Sequence, residues 1–460
     1  MAHALAGKPV REQDIIDVQT IVDAYFDNVP DMTNPTQLVS FGTSGHRGTS
    51  VDGTFTDLHV AAITQAICDG RKQFGATGPI FVGQDTHALS QPALVTVLEV
   101  LAGNGVTAMV DCDMDFVPTP SVSRAIIRYN EEHDDKADGI IITPSHNPPD
   151  NGGIKYNTII GGPADTVVTK WIEMRANEYL TAYCESEDFK RISIDNIEPT
   201  AQVPYDYKGL YVEELGDVIN MEAIKAAGPK VLVDTLGGSG ASYWNAIKER
   251  YGLDLTIIHD DYDPTFSFMT YDHDGKVRMD CSSTYVMASV INRIGDFDLA
   301  VGNDPDYDRY GIVVSSGLIS ANTFLTLAAR YLFTTRGWKN KGVGKTVVCT
   351  TMIDKWAADA ETPVFEVPVG FKYFSQLLFD GAIGIGGEES AGASFLKKDG
   401  TVWTTDKDGM IMALLSMEIM AVMGKSALKM ADESLEEFGN PSFGRIDAPC
   451  KKEQKQILKQ

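Results

Sequence analysis

The stretch Asp138-Gly139-Ile140-Ile141-Ile142-Thr143-Pro144-Ser145 constrains this chain more than any other. Three β-branched residues in a row predict a short strand buried on both faces, as in a parallel sheet covered by helices. Pro144 ends the strand, because it has no N–H to donate and disfavours a helical Thr143. Ser145 is therefore delivered at a strand end, onto a loop of prolines, asparagines and glycines that leads to Lys155. An α/β protein holds a nucleophilic hydroxyl in such a place, and the same composition also suits a plain surface turn.

Strand, polar loop and helix recur along the rest of the chain. Helical spacing is predicted over 11–29, where Ile15, Val18, Ile21, Val22 and Tyr25 share a face. From Leu58 onward, helices over 58–74, 90–103 and 119–131 alternate with strands over 79–83, 107–110 and 139–143. After a polar, acidic segment over 183–208 the pattern restarts with strand 230–234, helix 241–251, strand 255–258, helix 282–294 and strand 297–301. It restarts once more with helix 322–335, strand 346–349, helix 353–360, strand 364–367, helix 372–379 and strand 382–386. A Met-rich helix over 408–423 follows and reads as core packing. Such alternation predicts largely parallel sheets under helices. The fold class is α/β, in three successive mixed domains over 1–210, 211–320 and 321–440, with 441–460 a linker or remnant.

Charge and cysteine usage narrow the function classes. A net charge of −25 over 460 residues argues against nucleic acid or an anionic membrane as a main partner. No stretch approaches the roughly 20 apolar residues of a membrane span, and the N-terminus lacks an apolar leader. The six cysteines are widely spaced with no C-x-x-C pair, which points away from zinc and disulfides and toward a reducing cytoplasm.

Three further loops carry chemistry. Phe41-Gly42-Thr43-Ser44-Gly45-His46-Arg47-Gly48 can offer N–H groups and a guanidinium to an oxyanion. In Gly302-Asn303-Asp304-Pro305-Asp306-Tyr307-Asp308-Arg309 the carboxylates alternate, so on an extended segment they would share one face. Like charges that close call for a cation, and oxygen donors without His or Cys favour Mg²⁺. Arg309 can fork onto a phosphate or a carboxylate, and the same run also suits a solvated acidic turn. In Gly384-Ile385-Gly386-Gly387-Glu388-Glu389-Ser390-Ala391-Gly392 a carboxylate beside a hydroxyl suits vicinal sugar hydroxyls, and Thr404-Thr405-Asp406-Lys407-Asp408-Gly409 sets Lys407 just before a helix; each also reads as an ordinary polar loop.

Two tempting patterns fail. Gly342-Val343-Gly344-Lys345-Thr346 has Lys339 where a nucleotide phosphate loop needs glycine, and Gly237-Gly238-Ser239-Gly240-Ala241 misses the nucleophile elbow at its last residue. Two other functions suit these loops: a metal-dependent phosphatase with Asp304 as nucleophile, and a sugar-phosphate binding protein without turnover.

Taken in order, Thr43-Ser44-Gly45-His46-Arg47, Thr143-Pro144-Ser145-His146-Asn147-Pro148, Asp304-Pro305-Asp306-Tyr307-Asp308-Arg309 and Gly387-Glu388-Glu389-Ser390 closely resemble the motifs of the α-D-phosphohexomutases, nearest to the bacterial phosphoglucomutase branch. The resemblance implies α/β domains around a cleft, Mg²⁺, and interconversion of glucose 1-phosphate and glucose 6-phosphate through a phosphoserine and glucose 1,6-bisphosphate. By that resemblance Ser145 would carry the phosphoryl group, and Asp304, Asp306 and Asp308 would hold the metal together with a phosphate oxygen on Ser145. Lys155 and Lys407 would be acid/base partners, and Arg309 would contact the phosphoryl group. Arg47, His146, Glu388 and Ser390 would bind substrate. The loop containing Val369, acting through its backbone, and Lys372 would help to choose the sugar face. The partner would be a phosphorylated hexose, in an oligomeric state the motifs do not define. The family's fourth domain carries an Arg-Pro-Ser-Gly-Thr loop, and no such motif follows Met430. The chain is thus expected to lack that domain and to turn over weakly or not at all.

Overall fold

Each of three sheets has parallel strands at its centre and a return strand antiparallel to the last of them; in the first two sheets a further strand, His46–Thr49 or Gly317–Leu318, pairs antiparallel with that return strand. The computed structural model describes residues 2–42, 44–183, 189–442, 444, 454 and 457. Thr43 of the first glycine motif and most of the expected linker or remnant over 441–460 lie outside them. The first sheet runs in the order His46–Thr49, Asn151–Asn157, Asp138–Ile142, Ile80–Gln84, Ala108–Asp111, Gln202–Tyr205. The second runs Gly317–Leu318, Tyr310–Val314, Leu299–Asn303, Val231–Asp234, Leu255–Ile258. The third runs Val364–Val367, Gly342–Thr346, Ile383–Gly387, Ala393–Phe395. The architecture is three mixed α/β domains, as expected.

In each unit the last buried parallel strand passes through a short loop into an antiparallel return strand. Asp138–Ile142 returns as Asn151–Asn157, with Ile142 opposite Ile154. Leu299–Asn303 returns as Tyr310–Val314, with Asn303 opposite Tyr310. Ile383–Gly387 returns as Ala393–Phe395, with Gly387 opposite Ala393. The spacing of apolar residues does not predict these three strands. Gly152 and Gly153 read as loop, yet Gly153 is a strand residue so close to its neighbour that a Cβ would lie 2.2 Å from the Thr143 carbonyl oxygen.

Other expectations shift. The helix expected over 11–29 is a single turn, Glu12–Asp14, followed by Val18–Asp27 capped by Asp17. Helices Thr166–Tyr183, Tyr207–Val218 and Met221–Ala227 are absent from the expected set, and the polar, acidic segment over 183–208 contains strand Gln202–Tyr205. Of the helix expected over 282–294, only Ala288–Ile291 and a turn at Ile294–Asp296 form. The strand expected over 346–349 is Gly342–Thr346, because Phe365 and Phe374 lie over its glycines. Its Lys345 is consumed by ion pairs to Asp354 and Glu366, both at 2.9 Å.

The Met-rich helix Gly409–Met423 joins the second and third units. From Gly409 to Ile419 it is buried on every side, and Met410, Leu414 and Met417 belong to one cluster with Trp244 and Val301 of the second unit and Phe374 and Phe395 of the third. A helix apolar all round must be enclosed, and unbranched Met fills an irregular seam. Among the described residues no single helix is long and apolar enough to cross a membrane, and Cys68, Cys112, Cys281 and Cys349 are free thiols.

Asp408 caps that helix, accepting Ile411 N–H at 3.1 Å, Trp403 Nε1–H at 2.8 Å and the Tyr211 hydroxyl at 2.8 Å. Burial still pushes its carboxyl up to about 6. The folded state therefore keeps a proton that the unfolded chain, near 3.8, has lost, and stability falls as pH rises from about 4 to about 6. Relative to Asp408→Asn, the unsubstituted chain should lose about 3 kcal/mol across that window and run parallel to the variant above about pH 7. Urea unfolding at each pH reads the difference, and curves parallel throughout would remove this role from Asp408.

Candidate active site

The three hairpin loops meet at one point. Each holds a non-glycine residue in the left-handed backbone region: Ser145 at φ 57°, Tyr307 at φ 62° and Ala391 at φ 65°. For an L-residue that conformation costs about 1–2 kcal/mol, so the surroundings must enforce it. At Ser145 the backbone N–H donates to Thr143 Oγ1 at 2.8 Å. The side chain, 1% exposed, donates to Asp304 Oδ2 at 2.8 Å and lies 3.3 Å from His146 Nδ1.

Asp304, Asp306 and Asp308 are fully buried, and one carboxylate oxygen from each lies within 4.8 Å of the other two. They converge because residues 304–308 form a turn, bent at Pro305 and Tyr307; the extended segment expected from their alternation is absent. The Gly238-Ser239-Gly240 turn braces it, with Ser239 Oγ donating to the Pro305 carbonyl at 2.8 Å. Burial, with the charges of Asp306 and Asp308, pushes the Asp304 carboxyl well above its usual range. Asp306 Oδ1 and Asp308 Oδ1 are buried oxygens that accept no hydrogen bond among the described residues. Orphan hard oxygens beside a carboxyl strained by like charge fit a divalent cation.

Cations arrive from every unit. Lys155, on the first unit's return strand, places Nζ 2.5 Å from Asp306 Oδ2 and 3.1 Å from Asp308 Oδ2. Lys407, from the third unit, lies 2.9 Å from Asp308 Oδ2. Burial opposes the Lys155 ammonium, but Asp306 and Asp308 outweigh it and raise the pKa. Burial likewise opposes the Asp308 carboxylate, and Lys155, Lys407 and Arg309 outweigh it and keep it ionised. Arg309 pairs with Asp280 at 3.4 Å, and its backbone N–H donates to Asp304 Oδ1 at 2.9 Å. Burial and the Arg309 charge hold His146 well below its ordinary value, so its ring is neutral, with Nε2 3.9 Å from Asp280.

The remaining expected residues surround this cluster at varying distance. Arg47 sits opposite Gly153 on the strand beside the Ser145 hairpin; burial lowers its pKa against the pull of Asp306 and Asp308. Glu388 is buried and accepts the Gly370 N–H at 3.1 Å, tying the Val369–Lys372 loop to the third hairpin. Val369 is exposed, Ser390 half-buried, and Lys372 Nζ donates across to Thr166 Oγ1 of the first unit at 2.8 Å. Thr405 Oγ1 also crosses to the Ile160 carbonyl at 2.6 Å. The cavity left between Ser44, Lys155, Asp308, Phe371, Asp406 and Lys407 is about 20 Å³, room for about one water.

Several partners were not anticipated. Thr119 grips Asp306 twice, through Oγ1 to Oδ2 at 2.7 Å and through N–H to its carbonyl at 2.9 Å. Asp280 anchors Arg309, and Asp406 accepts from Asn157 Nδ2 at 2.9 Å. Asp85 and His87 stand behind the Ser145 loop. The last two follow an apolar strand as a polar run, the very pattern that marked the other loops.

Three α/β units that contribute to one buried Ser–Asp–Lys cluster define a multidomain α/β protein with an interdomain site. Residues 38–182, 210–317 and 320–438 match alpha/beta/alpha domains I, II and III of phosphoglucomutase/phosphomannomutase. The phosphoglucomutase of Komagataeibacter xylinus is 47% identical over 459 residues, which are 99% of this chain and 82% of that protein. Phosphoglucomutase 1 of Saccharomyces cerevisiae is 28% identical over 443 residues, 88% of this chain and 74% of that one. In fold, the chain is similar to the crystal structure of the open form of parafusin, a phosphoglucomutase from Paramecium. The TM-score is 0.72 at 20% identity, covering 90% of this chain and 76% of that one. The chain belongs to the phosphoglucomutase/phosphomannomutase family.

The close approach at Gly153 gives a test of how the hairpin is held. Gly153→Ala would press a methyl group on the Thr143 carbonyl and should cost about 1–3 kcal/mol through overpacking. A lowered urea midpoint at unchanged slope reads that cost, and an unchanged midpoint would mean the two strands are free to separate there.

Proposed function

We propose that this chain is a cytoplasmic phosphoglucomutase, interconverting glucose 1-phosphate and glucose 6-phosphate through a phosphoserine at Ser145 and glucose 1,6-bisphosphate. The observation that carries the reading is the 2.8 Å hydrogen bond from Ser145 Oγ to Asp304 Oδ2 inside a buried acid cluster faced by two lysines. The 47% identity to a phosphoglucomutase supports the choice of sugar phosphate.

Asp304, Asp306 and Asp308, with an oxygen of the Ser145 phosphate, would hold Mg²⁺, which when bound offsets charge on the moving phosphoryl group. The chain's own residues supply placement and protons. Arg309 forks toward the phosphoryl oxygens from its anchor on Asp280. Lys155, kept protonated between two carboxylates, gives its proton to the sugar oxygen as Ser145 recovers a phosphoryl group, and Lys407 is its counterpart from the third unit. Glu388 and Ser390 take sugar hydroxyls, while Arg47 and His146 contact the sugar phosphate. The Val369 backbone and Lys372 select the sugar face. Because the cavity is about 20 Å³, the Lys372–Thr166 and Thr405–Ile160 bonds must open to admit a hexose phosphate.

Intact-mass analysis after incubation with glucose 1,6-bisphosphate should find one acid-stable phosphate on Ser145, absent from Ser145→Ala. An acid-labile acyl phosphate on Asp304 would instead favour the phosphatase. Lys155→Met should lower turnover about 10²–10⁴-fold, with a smaller change in KM. Chelation of divalent cations should abolish transfer, and added Mg²⁺ should restore it. Transfer that survives chelation would remove the metal from the reading.

A further inference from the structure

A buried polar network behind the Ser145 loop takes part in none of these roles. It begins where strand Ile80–Gln84 ends, at Asp85 and His87, each 1% exposed. The Asp85 carboxylate is saturated with donors. Oδ1 accepts from Ser90 Oγ at 2.6 Å and from His87 N–H at 3.0 Å, while Oδ2 accepts from Thr143 Oγ1 at 2.5 Å. His87 Nδ1 donates to that same Oδ2 at 2.9 Å, and His87 Nε2 donates to the Asn147 carbonyl at 3.0 Å.

Both ring nitrogens thus face acceptors, so the ring is an imidazolium. Burial opposes the charge, and the Asp85 carboxylate outweighs burial and holds the His87 pKa above its ordinary value. Phe266 packs against the ring, with centroids 5.1 Å apart, and helps to exclude water. One acid–imidazole pair therefore holds the loop on both sides of Ser145: at Thr143, whose Oγ1 also accepts the Ser145 N–H, and at Asn147. Between those two grips lies Ser145, in a backbone conformation it would not adopt by local preference.

We propose that the buried Asp85–His87 pair is a positioning device, which clamps the loop at Thr143 and Asn147 so that Ser145 Oγ stays aligned with Asp304 during phosphoryl transfer. The proposal rests on the reading of Ser145 as the phosphoryl carrier. His87 touches neither the acid cluster nor the space left for substrate; it acts through the backbone carbonyl of Asn147, and Asp85 acts through the Thr143 hydroxyl.

The test follows the rate at which glucose 1,6-bisphosphate loads phosphate onto the full chain, by rapid quench and intact mass. The variants are His87→Ala, His87→Gln, Thr143→Val and Ser145→Ala. His87→Ala and Thr143→Val should load about 100-fold more slowly, while the half-saturating sugar bisphosphate concentration moves by less than about threefold. His87→Gln retains an N–H for the Asn147 carbonyl and should recover part of the rate. Should His87→Ala fail to fold, Thr143→Val, which keeps the side-chain volume and deletes only the hydroxyl, decides the matter. Folded His87→Ala or Thr143→Val loading at the unsubstituted rate overturns the clamp. Phosphate appearing on Ser145→Ala, or none on the unsubstituted chain, overturns the role of Ser145 itself and the clamp with it.

Discussion

Three carboxylates that each set one oxygen within 4.8 Å of the others', away from water, cannot all remain ionised unless positive charge closes around them. In this chain the closing charge is divided among the units. Lys155 comes from the first, Arg309 from the second and Lys407 from the third, and each approaches Asp306 or Asp308. The repulsion among the aspartates is local, but its relief requires all three units to be in register. The acid cluster thus both prepares a cation site and draws the units together, and loss of the first or the third unit would strip a lysine from these carboxylates.

The register comes from a repeated device. Each unit sends a strand buried on both faces into a hairpin loop with one left-handed residue, then back antiparallel. A return strand shortens the loop to a few residues and anchors it at both ends, so a side chain at the bend is held by sheet hydrogen bonds rather than by the loop itself. The close approaches at Gly153 and at Gly409, where a Cβ would lie 2.0 Å from the Arg309 carbonyl, leave no room for these hairpins to shift. Inter-unit bonds such as Lys372–Thr166, by contrast, lie outside the sheets and could break without disturbing any of them.

Much of this was legible beforehand, and the failures have physical causes. Ser145, the three aspartates and Lys407 each sit next to an apolar run or helix start, so local pattern marks them, while the role of Lys155 came only from the resemblance of the motifs. The return strands escaped because glycines that permit close strand approach look the same as glycines that permit a loop. The Asp304–Asp308 turn escaped because alternation describes an extended segment, while Pro305 and the left-handed Tyr307 bend this one. Asp85, His87, Thr119 and Asp280 are ordinary polar residues until a distant loop supplies the group they bind.

By itself, then, the amino-acid order determined the class of fold, the buried strands, and which hydroxyl, acids and amines are candidates for chemistry, since burial, periodicity and proline placement act over a few residues. Only the tertiary structure decided that Ser145 faces Asp304, that Lys155 and Lys407 share Asp308, and that His87 reaches Asn147. These are contacts between residues tens to hundreds of positions apart, and their geometry is set by how sheets pack and loops bend, which no local pattern encodes.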